Sequence, residues 1–296
     1  MMSKLCLPPK DSMQRVQFEI PAHACDSHAH IFGPNELYPF APDRSYTAPE
    51  SPLESFIQHL ERMGFERGVL VTPSPYGTDN RSVLDALTAY PDRLRAVAVA
   101  DTGVNVDTLR VWRKAGVCGV RFNLYAVGGD KVYKNGAGLD VLETLAPMMR
   151  DLDLHAQIWI HAPDLVELAP RLEKLNVPLV IDHMGRMNAA LGRDNPGFQK
   201  LCQMLGAGNT WTKISGADRN SNQQGQYGDI DDFASDLIAA NPERIVWGSD
   251  WPHTNYFDST MVPDDGILLN TLHRWLPDAD VRQKILCDNP GQLYRF

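Results

Sequence analysis

Eight short apolar runs, most of them rich in β-branched residues, recur along the 296-residue chain, and each is followed by a segment with helical spacing. The runs are Ala24 to Ile31, Gly68 to Thr72, Leu94 to Ala100, Gly119 to Leu124, His155 to His161, Pro178 to His183, Thr210 to Ser215 and Arg244 to Asp250. Helical spacing marks Leu53 to Met63, Asn80 to Tyr90, Val104 to Ala115, Leu139 to Leu152, Leu165 to Leu175, Phe198 to Leu205 and Asp231 to Ala240. Two closing helices are expected at Asp265 to Leu276 and Asp280 to Cys287. Strands alternating with helices predict a parallel sheet covered by helices, and eight units allow closure into a single α/β barrel of the (β/α)8 type. A doubly wound open sheet would carry a glycine-rich nucleotide turn after its first strand, and the chain has none. Residues 24–296 are therefore expected to form one barrel, with residues 1–23 an N-terminal arm lying on it.

Composition narrows the function. The 28 basic and 37 acidic residues leave a net charge of −9, which argues against a nucleic-acid partner but allows a local arginine cluster. Five scattered cysteines read as reduced thiols. Met1 to Lys10 lacks the apolar core of a signal peptide, and no run approaches the ~18 apolar residues of a membrane helix. The expectation is a cytoplasmic protein with no membrane partner; assembly into a homo-oligomer is compatible with the sequence.

The chemistry is expected where barrel strands end. Asp26-Ser27-His28-Ala29-His30 closes the first run, and simple alternation puts His28 and His30 on one face with Ser27 and Ala29 on the other. The segment Phe32 to Pro52 that follows holds five prolines and reads as a long functional loop. His183 and Asp250 end the sixth and eighth runs. A His-x-His pair alone is as often a satisfied core pair as a site. Company from His183 and Asp250 favours a hydrolytic site, with or without metal, in which Asp250 is the base. Arg121, inside an apolar run, needs an anionic partner from the protein or from a substrate. Arg186 and Arg219 are either solvated or substrate-binding. Asp182 reads as a structural hydrogen-bond acceptor facing away from His183. Gln157, Trp159 and His161 share one face with His155; Lys213 has the weakest case, and His59 is expected to be solvated.

Asp-Ser-His-Ala-His, Ile-Asp-His-Met-Gly-Arg at 181–186 and Trp-Gly-Ser-Asp-Trp-Pro-His at 247–253 resemble the signature of the amidohydrolase superfamily. With Gly77 to Asn80 and Gly119 to Asn123, they resemble most the 2-pyrone-4,6-dicarboxylate lactonase-like branch. The resemblance covers almost the whole chain from residue 24 and implies a TIM barrel that hydrolyses a small anionic lactone in aromatic-compound catabolism. By that resemblance Asp250 activates water, while His28, His30 and His183 polarise the carbonyl. Arg121, Arg186, Arg219 and Ser74 hold substrate anions, with Tyr76 and Trp159 at family binding positions. The sequence departs from the branch at Val127, where an arginine is usual, at Trp159, where a tyrosine is, and at Tyr76, where a histidine is. Muconolactones, 4-sulfomuconolactone and sugar-acid lactones are therefore competing substrates, and a metal-dependent decarboxylase is a more distant alternative. Strand four offers no lysine to bridge two metals. No obligate metal is expected, although His28, His30 and Asp250 could hold one zinc ion.

Overall fold

The structure, a computed structural model, describes residues 4–127, 130–131 and 135–296. Eight parallel strands follow one another around a single sheet: Cys25–Ala29 (β1), Arg67–Val71 (β2), Leu94–Ala98 (β3), Val117–Asn123 (β4), His155–Trp159 (β5), Leu179–Ile181 (β6), Thr210–Lys213 (β7) and Ile245–Val246 (β8). The intervening helices are Leu53–Met63 (α1), Arg81–Ala89 (α2), Val106–Ala115 (α3), Leu139–Asp151 (α4), Leu165–Glu173 (α5), Pro196–Ala207 (α6), Asp231–Ala240 (α7) and Asp265–Trp275 (α8). This is the (β/α)8 barrel that the alternating pattern predicts.

β8 is shorter than its apolar run because the residues after it close the barrel by another route. Ser27 N–H donates to the Trp247 carbonyl (2.9 Å), Asp250 N–H to the His28 carbonyl (2.9 Å) and His30 N–H to the Trp251 carbonyl (2.7 Å). The seam thus ties the ends of β1 and β8 together at the residues expected to do chemistry. After β4, Ala126–Val127 pairs antiparallel with Asp130–Lys131. Gly128 and Gly129 themselves lie outside the described residues, as does the Val127 side chain.

Two apolar shells hold these elements. The outer one lies between strands and helices, where α1 buries Phe56, Ile57, Leu60 and Met63. Each such side chain stabilises the fold by about 1.5–3 kcal/mol when fully buried. The inner shell fills the barrel with Cys25, Val69, Val97, Cys118, Val180, Trp211 and Val246, and the C-terminal Tyr294 plugs its floor. Residues 6–14 lie along this body. Cys6 N–H donates to the Thr47 carbonyl (2.8 Å), Leu7 N–H to the Tyr256 carbonyl (2.9 Å) and Gln14 N–H to the Asp264 carboxylate (3.0 Å).

Asp264 also caps α8, accepting from Gly266 N–H (2.9 Å) and Ile267 N–H (3.2 Å). Replacing it by alanine removes a helix cap and the anchor of Gln14 together. Asp264→Ala should lower stability by about 1–2 kcal/mol, read from the urea midpoint, and should speed proteolytic cleavage before residue 20.

Candidate active site

β1 does not alternate simply. Asp26 pairs with Gly68 and Ala29 with Leu70, so three steps on β1 match two on β2. This bulge re-aims the strand end. His28 and His30 both enter the barrel mouth with their Nε2 atoms 3.4 Å apart. Ser27 does not turn away, since its hydroxyl lies 3.9 Å from Cys25 Sγ of the inner shell, and its carbonyl accepts from Lys213 Nζ (3.0 Å) right beside His28 Nδ1. Asp26 locks the arrangement from the side, accepting from His28 N–H (3.1 Å), Ser249 N–H (2.9 Å) and Ser249 Oγ–H (2.6 Å). Burial pushes its carboxyl up to about 6 despite those donors.

His30 Nδ1 lies 2.7 Å from the Val71 carbonyl, which can only accept. Nδ1 therefore carries a proton, and in the neutral ring Nε2 presents a lone pair to the mouth. Beneath His28 lies a polar layer that sequence reasoning undervalued. Lys213 Nζ, fully buried, sits 3.0 Å from His28 Nδ1, 2.9 Å from Gln157 Oε1 and 3.3 Å from Asp182 Oδ1. Gln157 in turn donates to Asp182 Oδ2 (3.1 Å), and Arg121 approaches the same oxygen at 3.5 Å. Asp182 therefore points into the barrel, not away from it. Burial alone would raise its carboxyl, but Lys213, His28 and Arg121 together outweigh burial and hold it well below the usual range. Burial lowers Lys213 to about 8 against the pull of Asp182. His28 is held well below its ordinary value by burial and then by Lys213, so it is neutral.

Asp182 and His183 share the interior because β6 stops at Ile181. The chain then runs through left-handed backbone at His183, Met184, Gly185 and Arg186, with φ of 53°, 54°, 65° and 51°. Such conformations are costly and cluster at functional sites. Gly216 makes room for this turn, since a Cβ there would lie 2.9 Å from His183 Cβ. The imidazole is pinned by Ser215 Oγ on Nδ1 (2.9 Å), and Asn220 donates to the His183 carbonyl (2.9 Å). Burial lowers His183 to about 4 against the upward pull of Asp250 and Asp182.

Asp250 also has a left-handed backbone, φ 64°. Its Oδ1 lies 3.6 Å from His30 Nε2 and 3.8 Å from both His28 Nε2 and His183 Nε2. Its Oδ2 accepts from Arg219 Nε (2.9 Å). Burial would raise this carboxyl; Arg219 and the three histidines outweigh it and keep Asp250 ionised well below the usual range.

Above this floor opens a cavity of about 360 Å³ lined by Arg121, Arg186, Arg219, Ser74, Trp159 and Tyr125 together with His30, His183 and Asp250. Ser74 Oγ is buried and has no hydrogen-bond partner among the described residues. Tyr125 packs edge-on to Trp159 at 4.6 Å and brings a wall residue that the sequence did not single out. Arg219, besides holding Asp250, donates to the Thr254 carbonyl (2.9 Å). The structure places Tyr76 elsewhere. Its hydroxyl accepts from Gly33 N–H (2.8 Å) and its ring packs with Phe32 and Phe40, so it braces the long loop behind the site. His155 lies at the barrel floor against Tyr294. His59 is buried rather than solvated, stacked on Trp251 and near Asp265.

The donor set suits one metal ion. His28 Nε2, His30 Nε2 and Asp250 Oδ1 form a triangle with edges of 3.4, 3.6 and 3.8 Å. Ligands about 2.0–2.2 Å from a tetrahedral zinc stand about 3.3–3.6 Å apart, and three protein ligands leave a fourth position open.

The chain matches the family model described as Amidohydrolase over residues 25–296. The chain belongs to the amidohydrolase family. This amidohydrolase is 37% identical to a 4-sulfomuconolactone hydrolase of Rhizobium radiobacter, over 98% of this chain and 95% of that protein. It is 35% identical to a 2-pyrone-4,6-dicarboxylate hydrolase of Comamonas testosteroni, over 94% of this chain and 92% of that one. A crystal structure from Pseudomonas putida, described as a 2-pyrone-4,6-dicarboxylic acid hydrolase, superposes with a TM-score of 0.76 at 31% identity, covering 94% of this chain and 98% of that chain. No helix among the described residues is long and apolar enough to cross a membrane.

The buried histidines make stability depend on pH. Burial first of all depresses His28, His59 (to about 4), His155 (to about 3) and His183 (to about 4). Only His253, paired with Asp265, is raised. A depressed histidine takes its proton more readily in the unfolded chain. Its contribution is complete above about pH 6.5 and is lost as pH falls towards the folded value. His253 acts in the opposite sense, contributing below about 6.5 and losing that contribution as pH rises through its folded value. Below about 6.5 the opposing group is Asp26, raised to about 6 by burial; four histidines outweigh it, so the urea midpoint should fall as pH drops from about 6.5 to about 4. His155→Phe, which removes a floor histidine remote from the cavity, should flatten that slope.

Proposed function

We propose that this amidohydrolase opens the ring ester of a small dianionic lactone of the 2-pyrone-4,6-dicarboxylate or 4-sulfomuconolactone kind. One observation carries this reading: three guanidinium groups and a single carboxylate line the cavity, and that carboxylate stands ionised among three histidines. The local excess of two positive charges fits a ligand with two anionic groups, and guanidinium forks suit carboxylate or sulfonate oxygens. The named relatives act on lactones of this kind.

In this reading Arg121, Arg186 and Ser74 hold the anionic groups, with the ring against Trp159. The lactone carbonyl sits over the histidines. Asp250 Oδ1 takes a proton from water as the water oxygen adds to the carbonyl carbon. The Nε2–H groups of His28 and His183 stabilise the oxyanion. The ring C–O bond then breaks, and the proton on Asp250 passes to the leaving oxygen. Arg219 holds Oδ2, so the oxygen facing the histidines is the one that works. His28, His30 and Asp250 would hold a divalent ion, which when bound supplies Lewis acidity and a lower pKa for water. A cytoplasmic setting fits the five cysteines, which are all free thiols.

The test is ring opening followed by ultraviolet absorbance on chelator-treated protein, with 2-pyrone-4,6-dicarboxylate and 4-sulfomuconolactone offered side by side, with and without zinc. Turnover of at least one lactone is expected; turnover of neither overturns the proposal. Asp250→Asn should lower kcat by about 10²- to 10⁴-fold while calorimetry still detects lactone binding. Arg121→Met should instead raise KM about 10- to 100-fold, the loss of one charge-assisted contact, with kcat changed far less.

A further inference from the structure

Lys213 has three N–H bonds and four acceptors within reach: the Ser27 carbonyl (3.0 Å), Gln157 Oε1 (2.9 Å), His28 Nδ1 (3.0 Å) and Asp182 Oδ1 (3.3 Å). It is fully buried. Gln157 cannot turn its amide round, because Nε2 already donates to Asp182. Two N–H bonds are thus committed to oxygens that can only accept, and leaving either bare in the interior would be costly. The third is left for His28 or Asp182, and here it has hydrogen-bond geometry to His28 Nδ1 while Asp182 Oδ1 has no hydrogen-bond partner.

That choice decides what His28 shows the cavity. If the third N–H goes to His28 Nδ1, this nitrogen is an acceptor and the imidazole proton sits on Nε2. If it goes to Asp182, His28 Nδ1–H can donate to Asp182 Oδ1 at 3.3 Å, and Nε2 becomes a lone pair. His30 Nε2, a lone pair in the neutral ring whose Nδ1–H serves Val71, lies 3.4 Å from His28 Nε2. Two lone pairs facing each other repel unless a cation lies between them, whereas N–H against a lone pair attracts.

We propose that Lys213 is a positioning residue whose third N–H sets the tautomer of His28. Without a metal ion it holds His28 as the Nε2–H form, a donor to the substrate carbonyl. When a divalent ion binds, the N–H turns to Asp182 and His28 becomes a ligand. One proton moves from Nε2 to Nδ1 by exchange with solvent, the total is unchanged, and Lys213 remains an ammonium throughout. This rests on the ligand set proposed above, and it explains how one histidine can serve a site with or without metal.

Two-bond proton–nitrogen correlation spectra of ¹⁵N-histidine-labelled protein read the tautomer directly, with His28 assigned from the signal lost in His28→Gln. Metal-free protein should show Nε2–H, and stoichiometric zinc should convert His28 to Nδ1–H. Lys213→Met should show Nδ1–H already without metal. Gln157→Met frees an N–H so that His28 and Asp182 are both served; it should keep Nε2–H and weaken zinc binding at least tenfold, measured by competition with a chromophoric chelator. If Lys213→Met does not fold, the wild-type and Gln157→Met results decide. An Nδ1–H signal in metal-free wild type, an unchanged tautomer in Lys213→Met, or zinc uptake that leaves Nε2–H in place would each overturn the proposal. Zinc titration of the wild type reads the ligand set separately, and no uptake overturns the exchange. Lactone turnover is not part of this readout, so failure of the lactone assignment and failure of the tautomer assignment are distinguishable.

Discussion

The mouth of this barrel stands on a buried ion pair. Lys213 and Asp182 are both fully buried, and an ammonium and a carboxylate taken out of water are tolerated when their remaining donors and acceptors are met. Here most are met by groups from four strands: the Ser27 carbonyl and His28 from β1, Arg121 from β4, Gln157 from β5, and Lys213 itself from β7, around an aspartate just past β6 whose Oδ1 lies 3.3 Å from Lys213 Nζ without a hydrogen bond. The pair is thereby a registration device. A shift of any one strand would strand a charge, so the barrel must close with His28 directly above the ammonium.

From that layer the strain runs upward. The rim after β6 and β8 holds left-handed backbone at His183, Met184, Arg186, Asp250 and His253. Non-glycine residues adopt such angles at a cost, and here neighbours hold them in place: Asn220 on the His183 carbonyl, the His28 carbonyl on Asp250 N–H. Gly248 completes the seam, since a Cβ there would lie 2.4 Å from the His28 nitrogen. Rigid strand ends and over-determined turns bring four side-chain nitrogens within 4 Å of one carboxylate before any ligand arrives: the Nε2 atoms of His28, His30 and His183 approach Asp250 Oδ1 at 3.6–3.8 Å, and Arg219 holds Oδ2 at 2.9 Å. Preorganisation of this kind spares reorganisation during reaction.

How much of this was legible in the sequence follows from the range of each interaction. The barrel was legible because eight apolar runs separated by helical spacing are a local pattern. His28, His30, His183 and Asp250 were legible because they end those runs inside motifs that resemble a family. The polar layer was not. In Thr-Trp-Thr-Lys-Ile-Ser nothing local singles out the lysine, and its partners lie 31 to 186 positions away. Only closure brings them together. Asp182 and Ser27 were misplaced for a related reason: strict alternation fails at the β1 bulge and where β6 gives way to left-handed backbone. Tyr76, at a family binding position, turned out to brace the loop, and His59 was buried by tertiary packing that its helix position did not reveal.

The last constraint is electrostatic, and it separates the site from the molecule around it. The chain as a whole carries −9 and repels anions at long range. At physiological ionic strength that repulsion is screened beyond about 8 Å. Inside the cavity, screened from bulk water by its walls, the three arginines and one aspartate present the opposite sign at contact distance. An anionic ligand is therefore recognised on entry rather than steered from afar. Arg219 couples the two halves of the problem, because the guanidinium that lines the cavity also holds the carboxylate expected to move the proton.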